Sequence, residues 1–338
     1  MHVAVDAHNL LTDRRGIGVY LRAVLREWHD RDACTITALV RHPLPMLLKR
    51  RLAEEIGIPS IRVASRVPRD AGVVWHPWNG TFSSGGKRNV ATIHDVVPFA
   101  YPNSDAARRA HEQEPFVRSA QLADAILTDS AFSAREITAH LNVDPERITV
   151  VPLGYDAQFS PGAPGALPQA LRADGYVLYV GALEARKNVA TLVAAWREAL
   201  QPHGIALAIV SGGPDVDGAT MLRNVAPGRL RDLYRGALAV AVPSVYEGFG
   251  LPALEALACG APLIAARATS LPEVAGDAAR YVDEPTSVAA WQDALAQVAS
   301  DGALRERLRL AGPERARGFS WRRTAAETLR VLERAATP

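Results

Sequence analysis

The sequence predicts an α/β protein made of two doubly wound, mainly parallel sheets. Three observations carry that reading. The chain has 338 residues, which at about 150 residues per domain suggests two domains. Short β-branched runs alternate with longer amphipathic segments almost throughout, the pattern of βαβ units. The alternation breaks once, at Ser160-Pro161-Gly162-Ala163-Pro164-Gly165. A segment so rich in proline and glycine continues neither a helix nor a central strand.

In chain order, residues 2–5, 35–40, 61–63, 73–75, 90–93, 125–128 and 148–150 read as strands of the first half. Helices are expected between them at 19–29, 45–55, 105–123 and 133–141. After the break the pattern restarts with strand 176–180, helix 189–200, strand 206–210, helix 228–235, strand 238–242, helix 252–259 and strand 263–266. Residues 176–180 and 237–242 are continuous apolar runs, as in strands buried on both faces. The tail, 286–337, reads as mostly helical. The expected domains are therefore 1–160 and 166–320, with a terminal helix at about 321–338 packing back on the first. Ligands of such sheets bind outside the carboxyl ends of the strands, so a cleft between the two halves is the expected site.

Composition excludes several classes. With 48% hydrophobic and 22% charged residues the chain is no disordered tract. A net charge of +2 at pH 7 does not point to nucleic acid. Two distant cysteines, Cys34 and Cys259, make neither a disulfide framework nor a Cys-rich zinc site. No secretory signal and no apolar run of membrane-spanning length is visible, so a cytoplasmic protein is expected.

Two stretches carry chemistry. In Tyr246-Glu247-Gly248-Phe249-Gly250-Leu251-Pro252-Ala253-Leu254-Glu255, a strand leads through a glycine loop into a helix with proline in its first turn. Helix N-termini attract anions, and glycine lets a ligand approach the backbone. The two glutamates would repel phosphate, so they suit hydroxyl groups of a sugar and a ribose. Read alone, each is equally an ordinary surface glutamate beside a buried crossover. In Val180-Gly181-Ala182-Leu183-Glu184-Ala185-Arg186-Lys187-Asn188 a strand end carries adjacent cations that can neutralise a diphosphate without a metal. Taken alone, the pair is equally a solvated surface.

Together these stretches resemble the retaining glycosyltransferases of the GT-B class, the family 4-like, group 1 enzymes with the E-x7-E motif, here Glu247 and Glu255. The resemblance covers nearly the whole chain and extends to mannosyltransferase-like relatives. Further matching segments are 16–20, 92–98, 127–133, 150–156, 270–278 and 319–321. It implies two Rossmann-like domains facing a cleft, the first for an acceptor and the second for a nucleotide-sugar donor. On the matching positions it implies that Arg186 and Lys187 hold the donor diphosphate beside Gly181. Glu247 would contact the transferred sugar, with backbone amides near Phe249, Gly250 and Leu251. Glu255 would take the ribose hydroxyls, and Asn224 and Val225 would face the base. Gly16 and Gly18 would let the first loop approach the donor, and His94 would lie near the reacting sugar. Without the family match, His94 reads as a polar strand end hydrogen-bonded to backbone. The implied reaction is metal-independent transfer of a hexose, from GDP-mannose first and a UDP-sugar second, to a saccharide, lipid-linked or natural-product acceptor.

Several positions stay open. Asp215-Val216-Asp217 is a D-x-D that reads as a turn more readily than as a metal site. The 213–230 stretch looks short for the family and puts base preference in doubt, and Val19 stands where many relatives carry a charge. His76 is an acceptor-side candidate or a structural histidine. Residues 45–52 are apolar and basic together, an ordinary amphipathic helix or a weak peripheral contact with an anionic membrane. The rival functions are an epimerase or hydrolase of the same fold, and a non-catalytic partner subunit.

Overall fold

The computed structural model describes residues 1–13, 16–80, 87–171 and 175–337. Pro338, the last residue of the expected terminal helix, lies outside them. The chain divides into unit 1, Met1–Gly154 with Phe319–Pro338, and unit 2, Tyr155–Gly318.

Unit 1 runs β1 (His2–Asp6), α1 (Gly16–Asp30), β2 (Thr35–Leu39), α2 (Lys49–Ile56), β3 (Arg62–Ala64), β4 (Val73–His76), β5 (Arg88–Thr92), α3 (Val97–Ala100), α4 (Ala106–Leu122), β6 (Ala125–Thr128), α5 (Ala131–Leu141) and β7 (Ile148–Val150). Its sheet has the order β3-β2-β1-β4-β5-β6-β7, parallel throughout. The expected helix at 45–55 is a 3-10 turn, Pro45–Leu48, followed by α2. Gly57, at φ 80°, ends α2 in the left-handed region. Helix α5 begins earlier than the apolar pattern suggests because Ser130 caps it, accepting from the Ser133 amide at 3.0 Å. In the core, Trp75 meets Tyr20 edge-on at 5.8 Å and Trp28 at 5.2 Å.

Unit 2 runs β8 (Tyr176–Val180), α6 (Val189–Ala199), β9 (Ala206–Val210), β10 (Thr220–Leu222), α7 (Pro227–Gly236), β11 (Ala239–Val242), α8 (Leu251–Ala258), β12 (Leu263–Ala266), α9 (Leu271–Ala275), β13 (Ala279–Val282), α10 (Val288–Ser300) and α11 (Gly302–Ala316). Its order is β10-β9-β8-β11-β12-β13, again all parallel. The strands absent from the sequence reading, β10 and β13, are the two edges. Edge strands need no apolar run on both faces, and Thr220–Leu222 is only half-buried. The last helix, α12 (Trp321–Ala336), belongs to unit 1, where Trp28 Nε1 donates to the Ala325 carbonyl at 2.9 Å.

In each sheet the strand order reverses once, between β1 and β4 in unit 1 and between β8 and β11 in unit 2. Loops leaving neighbouring strands at such a point part to opposite faces and leave a crevice at the carboxyl ends.

Candidate active site

The crevice of unit 2 gathers residues far apart in sequence. Beyond β8, Gly181 leads to a 3-10 turn, Ala185–Lys187, that carries both cations. Beyond β11 comes Glu247. Lys187 Nζ lies 2.6 Å from Glu247 Oε1 and 2.7 Å from Oε2. Both side chains are mostly shielded, 15% and 11% exposed, so the pair is little weakened by solvent. Arg186 pairs with Glu184 at 2.8 Å and lies 3.9 Å from Glu247. Its Nη1 donates to the Tyr246 carbonyl at 3.2 Å, while Nε is buried with no hydrogen-bond partner. An unmatched donor on a buried guanidinium is costly unless an acceptor arrives.

Asn188 stitches the two loops, a role the sequence reading did not assign. Its backbone is left-handed, φ 53°, a conformation asparagine tolerates. Its Nδ2 donates to the Pro243 and Pro285 carbonyls at 3.2 and 2.7 Å. The Val245 amide also bonds the Arg186 carbonyl at 2.9 Å. The Glu247 loop is held from its other side by two residues that were also unassigned. Thr269 Oγ1 accepts from the Glu247 amide at 3.1 Å. The fully buried Ser270 hydroxyl bonds the Glu247 and Phe249 carbonyls, 2.9 Å from each. Thr269 is a β-branched residue at φ 53°, a strained conformation of the kind found at functional sites.

Phe249 is buried, and Gly250 precedes α8 at φ 104°. The conformation requires glycine, and a Cβ there would also stand 2.8 Å from Leu271 Cδ2 and force that methyl to shift. Leu251 opens α8, and Glu255 lies one turn in. The Tyr234 hydroxyl donates to Glu255 Oε2 at 2.9 Å. Burial, only partly offset by that bond, raises the Glu255 carboxyl to about 7. The same burial, together with the Glu255 charge, pushes the Tyr234 phenol well above its ordinary value.

The aspartates of the D-x-D point to different partners. Asp215 pairs with Arg223 at 2.7 Å and Asp217 with Arg197 at 3.3 Å. Among the described residues no group of three or more His, Cys, Asp or Glu is arranged to hold a metal ion. Asn224, left-handed at φ 52°, and Val225 connect β10 to α7.

In unit 1, Gly16 and Gly18 open α1. A Cβ at Gly18 would fall 2.1 Å from the Asp13 carbonyl oxygen, so the chain's own backbone fills that space. Arg22 holds that carbonyl at 3.0 Å. Val19 is 37% exposed. His94 is buried. Its Nδ1 lies 2.7 Å from Asp129 Oδ2 and its Nε2 lies 3.1 Å from the Pro77 carbonyl. The Pro77 carbonyl can only accept, so Nε2 donates to it, while Nδ1 and the Asp129 carboxyl share a buried hydrogen bond. Burial alone would lower its pKa; the charge and hydrogen bond of Asp129 reverse that and leave it raised. Asn79 accepts from the His94 amide at 2.7 Å, and Ser133 donates to its carbonyl at 2.9 Å. Asp129 and Asn79 were not singled out from sequence; the sole signal was the position of Asp129 within the matching 127–133 segment. His76, fully buried, faces Asn89 Oδ1 at 3.3 Å, and its Nδ1 is 4.0 Å from Asp6.

Comparison with known proteins agrees with this architecture. Residues 169–315 match the family of glycosyl transferases group 1. Residues 13–159 match glycosyltransferase family 4. The chain is 32% identical over 269 residues to O-antigen chain mannosyltransferase B of Escherichia coli, covering 73% of this chain and 70% of that one. It is 33% identical to a D-inositol 3-phosphate glycosyltransferase of Actinosynnema mirum over 70% of this chain. It spans 64% of that relative's length, less than two thirds. Among solved structures, sucrose-phosphate synthase of Thermosynechococcus elongatus superimposes with a TM-score of 0.71 at 18% identity over 98% of both chains. Anabaena HepE in complex with UDP and glucose gives 0.73 at 13% identity, over 98% of this chain and 99% of that one. At such identities the likeness is one of fold, the GT-B arrangement of two parallel-sheet domains. With both halves matched and an E. coli relative aligned over most of its length, the chain belongs to the group 1, family 4 glycosyltransferases.

Proposed function

We propose that this glycosyltransferase moves a hexose from a nucleotide-diphosphate sugar to a saccharide, lipid-linked or natural-product acceptor, with retention and without a metal. The observation that carries the reading is the meeting of Lys187, Arg186 and Glu247 at the crevice of unit 2, where both cations stand within ion-pair distance of the Glu247 carboxylate. A diphosphate needs the cations; a sugar hydroxyl needs the carboxylate. GDP-mannose is the first donor and a UDP-sugar the second. The name of the E. coli relative, a mannosyltransferase, supports the first.

In the proposed reaction the acceptor oxygen bonds to C1 of the sugar on the face from which the C1–O bond to phosphate breaks. The acceptor proton passes to the departing diphosphate oxygen, so the products are the glycoside and a nucleoside diphosphate. No side-chain base is needed. The chain's work is electrostatic. Lys187 exchanges an oxygen of Glu247 for phosphate, Arg186 fills the acceptor need of its Nε, and Glu247 turns to the sugar hydroxyls. Glu255 receives the ribose, and Asn224 and Val225 border the base.

Lys187→Ala tests the reading. Donor affinity and transfer should both fall, by about 1.5–3 kcal/mol each for loss of a charge-assisted bond. Wild-type donor affinity and turnover in the variant remove the leaving-group assignment. Product release in the absence of any acceptor, measured on the wild type, would instead favour a hydrolase or epimerase.

A further inference from the structure

We propose that the 44–51 surface of unit 1 docks the protein on an anionic lipid bilayer. The surface is built around the 3-10 turn Pro45–Leu48. Leu44, Met46 and Leu47 are 62%, 61% and 70% exposed. Nowhere else among the described residues do three large apolar side chains stand exposed within four positions. The Leu47 amide closes on the Leu44 carbonyl at 3.1 Å. That bond ties Leu44, the residue before the turn, to Leu47 within it. Met46 lines an open groove of ≈ 650 Å³ together with Lys49, Arg50 and Ala53 of α2.

Charge selects the partner. Between positions 41 and 52 the chain carries Arg41, Lys49, Arg50 and Arg51 and no acid, although the whole chain has a net charge of only +2. The nearest acids do not cancel this. Glu55 is turned inward to Arg22 at 3.1 Å and is only 13% exposed. Glu54 pairs with Arg50 at 3.3 Å, but both are exposed, at 67% and 92%, and such a helical surface pair is readily exchanged for another partner.

A second copy of this chain is a poor occupant, because a symmetric contact through this patch would bring two sets of like cations together. A bilayer with anionic headgroups satisfies both halves of the surface. Leucine and methionine enter the acyl boundary while lysine and arginine lay their stems on the apolar layer and reach headgroup phosphates. Apolar insertion and electrostatic attraction then act together, as stable peripheral attachment requires.

The test is co-sedimentation of the full chain with phosphatidylcholine vesicles, with and without phosphatidylglycerol. Two triple variants are compared: Leu44→Ser with Met46→Ser and Leu47→Ser, and Lys49→Gln with Arg50→Gln and Arg51→Gln. The native chain should bind the anionic vesicles and release them as salt rises, and should leave neutral vesicles in the supernatant. Each variant should lose about tenfold or more in binding to anionic vesicles. Because every altered side chain is at the surface, thermal midpoints should stay at the native value, which separates lost docking from lost folding. Equal binding to both vesicle types, no binding to either, or variants that bind as the native chain does overturns the proposal. So does a concentration-dependent dimer that the serine variant abolishes.

Discussion

His94, buried, and Glu255, half-buried, are titratable groups whose environments move them in ways that can be measured. The His94 imidazole lies between Asp129 and the Pro77 carbonyl and its pKa is raised. The folded chain therefore holds a proton that the unfolded chain releases above a pKa of about 6.5. The stability this contributes is fully present below that value and is lost as pH rises through the folded pKa. His94→Gln leaves Asp129 without its charged partner, a change that typically costs about 3–5 kcal/mol. Denaturant unfolding should show the full loss near pH 6 and a smaller one in alkali; a loss independent of pH would mean that folding does not raise the His94 pKa. For Glu255 the raised value, about 7, means that much of the carboxyl is protonated at neutral pH. Ribose hydroxyls donate best to the ionised form, so nucleoside affinity should rise with pH through about 7 and a proton should be released on binding. Glu255→Gln should abolish the pH dependence, and Glu255→Ala should weaken binding by about 1.5–3 kcal/mol. Calorimetry in buffers of different ionisation enthalpy reads the proton directly, and a nucleoside rather than a nucleotide avoids phosphate titration. No proton release in the native chain would remove the ribose role.

At the scale of elements, the central strands were legible because a strand covered on both faces must be apolar. The runs 125–128, 176–180, 206–210 and 263–266 coincide with β6, β8, β9 and β12. The short edges β10 and β13 were not legible, since one open side removes that constraint. Helix starts were displaced where a cap rather than an apolar residue sets the boundary, as at Ser130. The candidate site was legible in a different way. Nothing in the spacing of Lys187 and Glu247 states that they touch; the topology places their strands side by side, and only the family resemblance linked them beforehand. Thr269 carried no signal, and Ser270 only its place at the head of the matching 270–278 segment, because a loop serine or threonine has no pattern that states its role. Their role shows only when the hydroxyl of Ser270 is found on two carbonyls of the Glu247 loop. Ser270→Ala leaves those buried acceptors without their donor. It should destabilise by about 1–3 kcal/mol and lower kcat more than donor affinity, because the loop that carries Glu247 loosens while Lys187 and Arg186 remain. Unchanged stability and turnover would show that the loop is held by other means.

For the whole molecule, the consequence of two separate cores is that a donor nucleotide acts on one of them. The residues proposed to hold diphosphate, ribose and base, from Gly181 to Glu255, all belong to Tyr155–Gly318. A ligand that binds only the folded form stabilises it by about 2.7 kcal/mol at one hundred times its dissociation constant. For a unit of this size that corresponds to roughly 5–10 °C in the thermal midpoint. A panel of GDP, UDP, ADP and dTDP therefore ranks the bases without knowledge of the acceptor. GDP should give the largest shift and UDP the second, in keeping with the proposed donors. On the proposed metal-free reading, in which Arg186 and Lys187 neutralise the diphosphate, the shift should persist in excess chelator. Asp215 and Asp217 are each paired with an arginine. Adding Asp215→Asn and Asp217→Asn makes the test decisive. If stabilisation requires a metal and these variants abolish it, the aspartates hold a cation and the metal-free account is wrong. If stabilisation survives both chelator and substitution but disappears in Lys187→Ala, the diphosphate is held by this chain's own charge.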